Sequence, residues 1–229
     1  MIKLIFGLLL AAFLSVWSLH HISEARSFSR NLAAPPQEIK YFTLGMSNAL
    51  ADLFWLRLIQ DMDYCGGVNV TEVNWEEVKK ERPKCSDGWV AKMFHIITEL
   101  SPDFYLVYRV GITALPIIVG DREGAENFIK KATARFPKDW TIAYRSAYFY
   151  IYEIRDPVRA AELLKIAGEN GAPDWVFSLS ARLFDEGGQL LLGISVLEET
   201  IKTTKEEYLR KDLAKKLAKL KAKYEKLKK

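Results

Sequence analysis

Cysteine and histidine are scarce in this chain, whose 229 residues include two cysteines and three histidines. A zinc site needs about four ligands of these types, and His20 and His21 follow directly on an apolar run, which leaves His95 as an isolated candidate. The sequence also lacks a glycine-rich phosphate loop and a Gly-x-Ser-x-Gly turn. This composition predicts a protein that is not an enzyme and that holds no metal or cofactor.

The two cysteines, Cys65 and Cys85, bracket a segment without helical periodicity. In an oxidising compartment, two cysteines around one loop are expected to pair, which contributes about 3 kcal/mol through loop closure. A redox pair normally has the spacing Cys-x-x-Cys, and a zinc site needs two further ligands nearby. We therefore predict a disulfide, and a thiol redox function is the weaker alternative.

Charged residues are missing from the N-terminus, where positions 4–19 carry none. This run is intermediate in length between a signal-peptide core and the roughly 17–25 residues of a spanning helix. We predict a retained signal anchor or transmembrane helix over residues 1–25, with a cleaved signal peptide or a buried core helix as alternatives. Residues 26–37 are polar, end in Pro35 and Pro36, and are interpreted as a linker.

Positive charge is concentrated at the other end of the chain. Residues 202–229 contain twelve basic and four acidic side chains, a net charge of +8, although the whole chain has a net charge of only +4. An apolar stripe predicts a basic capping helix over residues 205–229. Its lysines are interpreted as a solvated face, with an anionic lipid or an acidic partner as the alternative. Nucleic acid is not expected, because Tyr224 is the only aromatic residue of the stripe.

A short motif of acidic, aromatic and basic residues occurs three times, each time after a proline. The prolines are Pro102, Pro137 and Pro173, spaced by 35 and 36 residues. The three copies are Asp103-Phe104 with Tyr108-Arg109 and Gly111, Asp139-Trp140 with Tyr144-Arg145 and Ala147, and Asp174-Trp175 with Ala181-Arg182. A period in the mid-thirties is typical of stacked helical hairpins, because one hairpin cannot bury its apolar face alone.

Four hairpins are predicted from apolar periodicity and turn residues. The first has a helix over 38–63, expected to be buried on most sides or, alternatively, to rest on a membrane, followed by the cysteine loop over 64–88 and a helix over 89–100. The other three turn at Gly120-Asp121, at Arg155-Asp156-Pro157 and at Gly187-Gly188. Their second helices repeat small and apolar residues with one spacing: Ala125, Ile129 and Ala132; Ala160, Leu164 and Ala167; Gly193, Leu197 and Thr200.

The series Ala125, Ile129, Ala132 and Pro137, with Gly111 in the preceding helix, resembles the tetratricopeptide repeat over residues 89–203. Residues 50–60 are similar to the opening helix of bacterial, membrane-anchored tetratricopeptide proteins. The resemblance implies an all-α fold, a right-handed α-solenoid over residues 38–204 with a concave face that holds peptides or domains. With the signal anchor, it implies a protein of the bacterial inner membrane whose folded part is periplasmic or otherwise extracytoplasmic.

In the register of that family, seven side chains look into the concave groove: Tyr105, Tyr108, Arg109, Thr141, Tyr144, Arg145 and Tyr148. Aromatic residues and arginines dominate binding energy at interfaces. Two arginines one repeat apart could bind the carboxylate of a partner with paired hydrogen bonds. The alternative is that the tyrosines only pack and that the arginines pair with Asp103 and Asp139 or with carbonyl groups at helix ends.

The function predicted from these patterns is that of a membrane-tethered scaffold or adaptor, which joins other proteins in an envelope complex without chemistry of its own. An assembly chaperone that binds exported client proteins in the groove is the alternative. A thiol redox protein using Cys65 and Cys85 is the third and least favoured interpretation.

Overall fold

The computed structural model describes residues 32–65 and 85–228, together with residues 14, 15 and 17. In these residues the secondary structure is helical, apart from one isolated parallel bridge between Leu32 and Cys85. The predicted all-α class is confirmed. Most of the predicted signal anchor and much of the cysteine loop lie outside the described residues. No helix within the described ranges combines the length and the apolarity that crossing a membrane requires.

Nine α-helices occupy the described residues and are numbered here in chain order. They are α1 (Ser47–Cys65), α2 (Trp89–Leu100), α3 (Tyr105–Thr113), α4 (Arg122–Arg135), α5 (Trp140–Phe149), α6 (Pro157–Glu169), α7 (Trp175–Glu186), α8 (Leu190–Thr203) and α9 (Glu207–Leu227). A short 3-10 helix, Gln37–Tyr41, precedes α1. Two π-helical turns, Ala114–Val119 and Tyr150–Ile154, extend α3 and α5.

The chain divides into two compact units. The smaller consists of Met1–Ala33 and Val70–Ser86, and the larger of Ala34–Asn69 and Asp87–Lys229. In the smaller unit, the Ser86 N–H donates to the Leu32 carbonyl at 2.9 Å beside the isolated bridge. The larger unit contains all nine helices.

Within the larger unit, helices pack on their neighbours in chain order. The pairs α1/α2, α3/α4, α5/α6 and α7/α8 are hairpins, each second helix packs on the first helix of the next hairpin, and α3 also packs directly on α5. The predicted turns at Gly120-Asp121 and Arg155-Asp156 are present. Asp121 and Asp156 cap α4 and α6, accepting from the N–H groups of Gly124 at 2.8 Å and Arg159 at 3.0 Å. An aspartate at this position satisfies an N–H that the helix leaves unpaired.

The second helices approach their neighbours through small residues, as their spacing predicts. All nine of the repeated residues are buried: Ala125, Ile129, Ala132, Ala160, Leu164, Ala167, Gly193, Leu197 and Thr200. At Gly193 the backbones themselves are close, since a Cβ atom there would lie 2.6 Å from the carbonyl oxygen of Ala181. Small side chains at these positions therefore let one helix backbone contact the next.

Aromatic rings fill the core of the first two hairpins. Phe94 of α2 packs between Trp55 of α1 and Phe128 of α4, at centroid distances of 6.3 and 5.3 Å. Phe128 in turn stacks on Tyr108 of α3 at 5.7 Å. Gly111 lies against the Phe128 ring, so that a side chain at this position would collide with it.

Helix α1 departs from the prediction in both its start and its burial. The chain does not continue as a helix from Glu38, because Leu44 and Gly45 have left-handed φ angles of 50° and 80°, which a right-handed helix excludes. Leu53 and Leu56 of α1 are more than half exposed. The prediction that this helix is buried on most sides is therefore wrong.

The predicted disulfide is confirmed, since Cys65 and Cys85 are both disulfide-bonded. At the end of the chain, α9 covers the last hairpin. Leu213 is fully buried against Ala181 and Leu197, and Leu209, Ile201, Leu217 and Leu220 pack around this cluster. Ion pairs of Lys221 with Glu198 at 2.6 Å and of Lys223 with Asp185 at 2.5 Å hold the outer part of α9 in place.

Candidate functional site

A cavity of about 660 Å³ lies between α3 and α5, the first helices of the second and third hairpins. Its volume is within the roughly 300–1,000 Å³ of typical ligand pockets. Ile112, Pro116 and Ile117 form an apolar wall on the side of α3 and its π-helical turn. Because α3 and α5 are packed directly on each other, the floor of the cavity is fixed by the fold.

Four aromatic side chains, Trp140, Tyr144, Tyr148 and Tyr152, line the α5 side of the cavity at intervals of four residues. We call these four residues the aromatic ladder. Successive ring centroids are 6.5, 5.5 and 5.2 Å apart. Trp175 of α7 contacts Tyr144 edge-on at 6.0 Å. Tyr144 is half-buried, and the other three side chains of the ladder are exposed. The exposed fraction of Tyr152 is 63%.

The π-helical turn after α5 keeps the last rung in line with the others. In an α-helix each step of four residues advances about 40° around the axis, so a stripe at this spacing gradually leaves one face. A π-helical turn contains more residues than an α-helical turn, so each residue rotates less around the axis. The step from Tyr148 to Tyr152 therefore covers a smaller angle than the earlier steps. The distance between the rings of Tyr148 and Tyr152 is accordingly the shortest of the three.

Two guanidinium groups, those of Arg109 and Arg145, line the same cavity. Arg145 donates from Nη1 to Thr113 Oγ1 at 3.3 Å, and the guanidinium of Arg109 lies 5.7 Å from the centroid of the Tyr105 ring. The Nε–H of Arg109 is buried without a hydrogen-bond partner. Neither arginine forms an ion pair with a carboxylate of the described residues.

One acidic residue, Glu153, also lines the cavity. Its carboxylate accepts from Nε of Arg122 at 3.2 Å, so its charge is already balanced by a residue from α4. The side chains that line the cavity therefore carry a net positive charge, which comes from Arg109 and Arg145. Unpaired guanidinium groups of this kind favour carboxylates or other anions.

Five of the seven residues predicted to face a groove line this cavity: Arg109, Thr141, Tyr144, Arg145 and Tyr148. Tyr108 does not, because it is only 1% exposed and its ring packs on Phe128 at 5.7 Å and Phe136 at 5.1 Å. Tyr105 also lies outside the lining, with its ring edge-on to Phe136 at 5.4 Å. Use of the cavity by a partner stays a prediction.

Asp103 and Asp139, the alternative partners predicted for the two arginines, bind other groups. Asp103 pairs with Arg135, and Asp139 caps α5 by accepting from the N–H of Ile142 at 2.9 Å. In the described part of the chain, neither carboxylate pairs with Arg109 or Arg145. Among the described residues, the two arginines therefore contact Thr113 and the Tyr105 ring but no carboxylate.

The phenol of Tyr144 stays protonated at neutral pH. Burial raises its pKa above the ordinary value of 10.0, and its hydrogen bond with Tyr148 raises the pKa further. The pKa of Tyr105 is also raised, first by burial and then by its hydrogen bond with Asp139. The Tyr144 hydroxyl therefore keeps its proton, which is engaged with Tyr148.

Sequence reasoning missed several lining residues, above all Trp140 and Tyr152, which complete the aromatic ladder. The interval of four from Trp140 through Tyr144 and Tyr148 to Tyr152 is visible in the sequence and would have identified the stripe. The π-helical turns carry no comparable signal. His95, the isolated histidine, packs edge-on against Phe128 at 5.7 Å. Among residues 32–65 and 85–228, no three His, Cys, Asp or Glu side chains are grouped to hold a metal ion.

Comparison of the chain with protein-family models, with curated protein sequences and with solved structures gives no match.

Proposed function

We propose that this chain is a non-enzymatic scaffold or adaptor, which binds another protein in the cavity between α3 and α5. The observation that carries the proposal is the aromatic ladder, in which Trp140, Tyr148 and Tyr152 are exposed and only Tyr144 is half-buried. Exposed tryptophan and tyrosine side chains in a concave site are the residues that supply most binding energy at protein interfaces. A purely structural stripe would place these rings in the interior.

The proposed architecture is a right-handed α-solenoid of tetratricopeptide-like hairpins, closed by α9. It is supported by the serial packing of the four hairpins and by the small residues buried at matching positions of the second helices. Each hairpin in such a stack covers the apolar face of its neighbour. The last one needs a cap, and Leu213 of α9 supplies it.

The proposed location is extracytoplasmic, with the N-terminal run as a tether in a bacterial inner membrane. The uncharged stretch over residues 4–19 and the disulfide support this proposal, since disulfides persist mainly outside the reducing cytoplasm. The partner would then belong to an envelope complex.

The test is affinity capture of the full chain from its native membrane in mild detergent, after chemical cross-linking, with the partner identified by mass spectrometry. Wild type is compared with the double variant Tyr148→Ala/Tyr152→Ala and with the control Tyr208→Ala, which removes a tyrosine that is 85% exposed on α9. We expect one stoichiometric partner with wild type and with the control, and its loss with the double variant.

Equal recovery of that partner with all three proteins would refute the proposal. Weak recovery of many unfolded proteins, lost in the same way with the double variant, would instead indicate the assembly chaperone. That outcome would preserve the site but change the function from a scaffold to a transient holder of clients.

A further inference from the structure

We propose that the cavity binds an extended, proline-containing acidic segment of the partner protein, which lies along α5 in a polyproline II conformation. This inference rests on the proposed function and adds the conformation, the residue type and the charge of the bound segment. Three features carry it: the length of the aromatic ladder, the donors on its side chains, and the two arginines beside it that lack a carboxylate partner.

The ladder is long enough for a short extended segment. A polyproline II chain advances about 3.1 Å per residue and has three residues per turn, so residues on one of its faces are about 9.3 Å apart. From Trp140 to Tyr152 the helix axis rises about 18 Å. About six residues of polyproline II cover this length.

A helix along the ladder would be a wide occupant, since an α-helix with its side chains is about 10–12 Å across. A polyproline II segment is narrower, and it loses less conformational entropy on binding because proline restricts the free chain.

The side chains of the aromatic ladder can bind the backbone of such a segment. Every member of the ladder is a tryptophan or a tyrosine and offers a flat face, and Trp140, Tyr148 and Tyr152 also offer an N–H or O–H donor. A polyproline II backbone has no internal hydrogen bonds, which leaves its carbonyl groups free to accept. Rings can therefore pack on pyrrolidine groups while their polar ends bind carbonyl oxygens, as in other aromatic grooves that bind proline-rich peptides.

The charge of the segment follows from Arg109 and Arg145. Both guanidinium groups lie in the cavity without a carboxylate partner, whereas Glu153 is neutralised by Arg122. A segment with a carboxylate beside its prolines places an acceptor next to these groups. A basic segment would bring like charges together, so the site selects against it.

The test uses fluorescein-labelled, end-blocked peptides of about nine residues and fluorescence anisotropy with the full chain in detergent. The parent peptide repeats proline-proline-glutamate. One companion replaces the prolines with alanine, and a second replaces the glutamates with glutamine. We expect the parent to bind, and each companion to bind at least tenfold more weakly.

Protein variants assign the binding to the site. The double variant Tyr148→Ala/Tyr152→Ala is expected to weaken binding of the parent peptide at least tenfold. Tyr148→Phe/Tyr152→Phe is expected to weaken it about threefold, and Tyr208→Ala is expected to leave it unchanged. Arg145→Gln is expected to weaken the parent about tenfold but to leave the glutamine companion unchanged. Its control is Arg182→Gln on α7, which removes an arginine that pairs with Glu186 at 3.4 Å. Circular dichroism of each variant checks that it is folded.

Absence of parent binding, or equal binding of the alanine companion, overturns the polyproline II inference. Equal binding of the glutamine companion overturns the inference that the bound segment is acidic. If the peptides fail while cross-linking still captures a partner that depends on the aromatic ladder, this inference fails alone. If neither the peptides nor a partner depends on the ladder, the proposed function fails with it.

Discussion

Gly120 and Arg155 occupy the same place in consecutive hairpins, where each follows the π-helical turn that ends the first helix. Both have left-handed backbones, with φ angles of 73° and 61°. Each is followed by an aspartate that caps the next helix, Asp121 or Asp156. The fold therefore demands the same backbone at both turns, and only one of the two sequences supplies a glycine.

Arg155→Gly is expected to stabilise the protein by about 0.5–1 kcal/mol. A left-handed conformation costs a residue with a Cβ about 1–2 kcal/mol, and part of the gain is lost to the greater freedom of glycine in the unfolded chain. The free energy of unfolding is measured with urea, monitored by circular dichroism. Arg155→Ala is the control, because it removes the side chain without relieving the backbone. A gain with alanine equal to the gain with glycine would contradict the explanation.

Gly120→Ala is the reciprocal change and is expected to destabilise the protein by about 1 kcal/mol. A Cβ atom at Gly120 meets no other atom within 4 Å, so the cost comes from the backbone conformation rather than from a collision. The same urea measurement checks it. No loss of stability would show that the turn tolerates a different backbone.

Gly193→Ala is expected to destabilise the protein by about 1–3 kcal/mol, despite the better helix propensity of alanine. Its Cβ would lie 2.6 Å from the Ala181 carbonyl oxygen, and a backbone atom of a packed helix cannot move aside without separating α7 from α8. Ser195→Ala in the same helix is exposed and should have little effect or stabilise slightly. A neutral Gly193→Ala would mean that the two helices are not held at this distance.

The ends of the hairpins are predictable from the sequence because turn-forming residues interrupt the apolar periodicity at each one. Gly120-Asp121 and Arg155-Asp156 close the first helices where expected, and the 35- and 36-residue spacing of prolines marks the repeats. The start of α1 was not predictable in this way. Its break depends on the backbone angles at Leu44 and Gly45, and Leu44 is not a residue that favours a positive φ.

The candidate site was predictable only in part, since a repeated sequence position need not have a repeated environment. Tyr108 and Tyr144 share one position of the repeat, but Tyr108 is enclosed by Phe128 and Phe136. The matching positions of the next hairpin hold Leu163 and Ala172, which are smaller. Tyr144 therefore lacks these aromatic partners and contacts the rings of Tyr148 and Trp175 instead.

Leu213→Ala is expected to lower the free energy of unfolding by about 2–4 kcal/mol, because the side chain is fully buried between α9 and the last hairpin. Leu227→Ala is the matched control in the same helix. Leu227 is 71% exposed, so its loss should change stability by less than about 0.5 kcal/mol. Equal effects of the two changes would show that α9 does not pack on the last hairpin in solution.

Glu99→Gln is expected to lower stability at neutral pH and to have no effect in strong acid. Hydrogen bonds from Lys131 at 2.8 Å and Lys40 at 2.9 Å lower the pKa of Glu99 from 4.5 to about 2. Because the pKa of the folded state is lowered, the stabilisation is complete above pH 4.5 and disappears as the pH falls towards 2. The carboxylate is 42% exposed, so solvent screening limits its contribution to about 0.5–1 kcal/mol.

The measurement is urea unfolding of wild type and Glu99→Gln between pH 7 and pH 2.5, with the difference in unfolding free energy plotted against pH. Glu169→Gln serves as the control, since Glu169 pairs only with Lys165 on the same helix, at 3.5 Å, and joins no separate elements. Its difference from wild type should be small throughout. A difference for Glu99→Gln that stays constant across this range would contradict the ion-paired carboxylate, because a neutral packing effect does not follow the titration of Glu99.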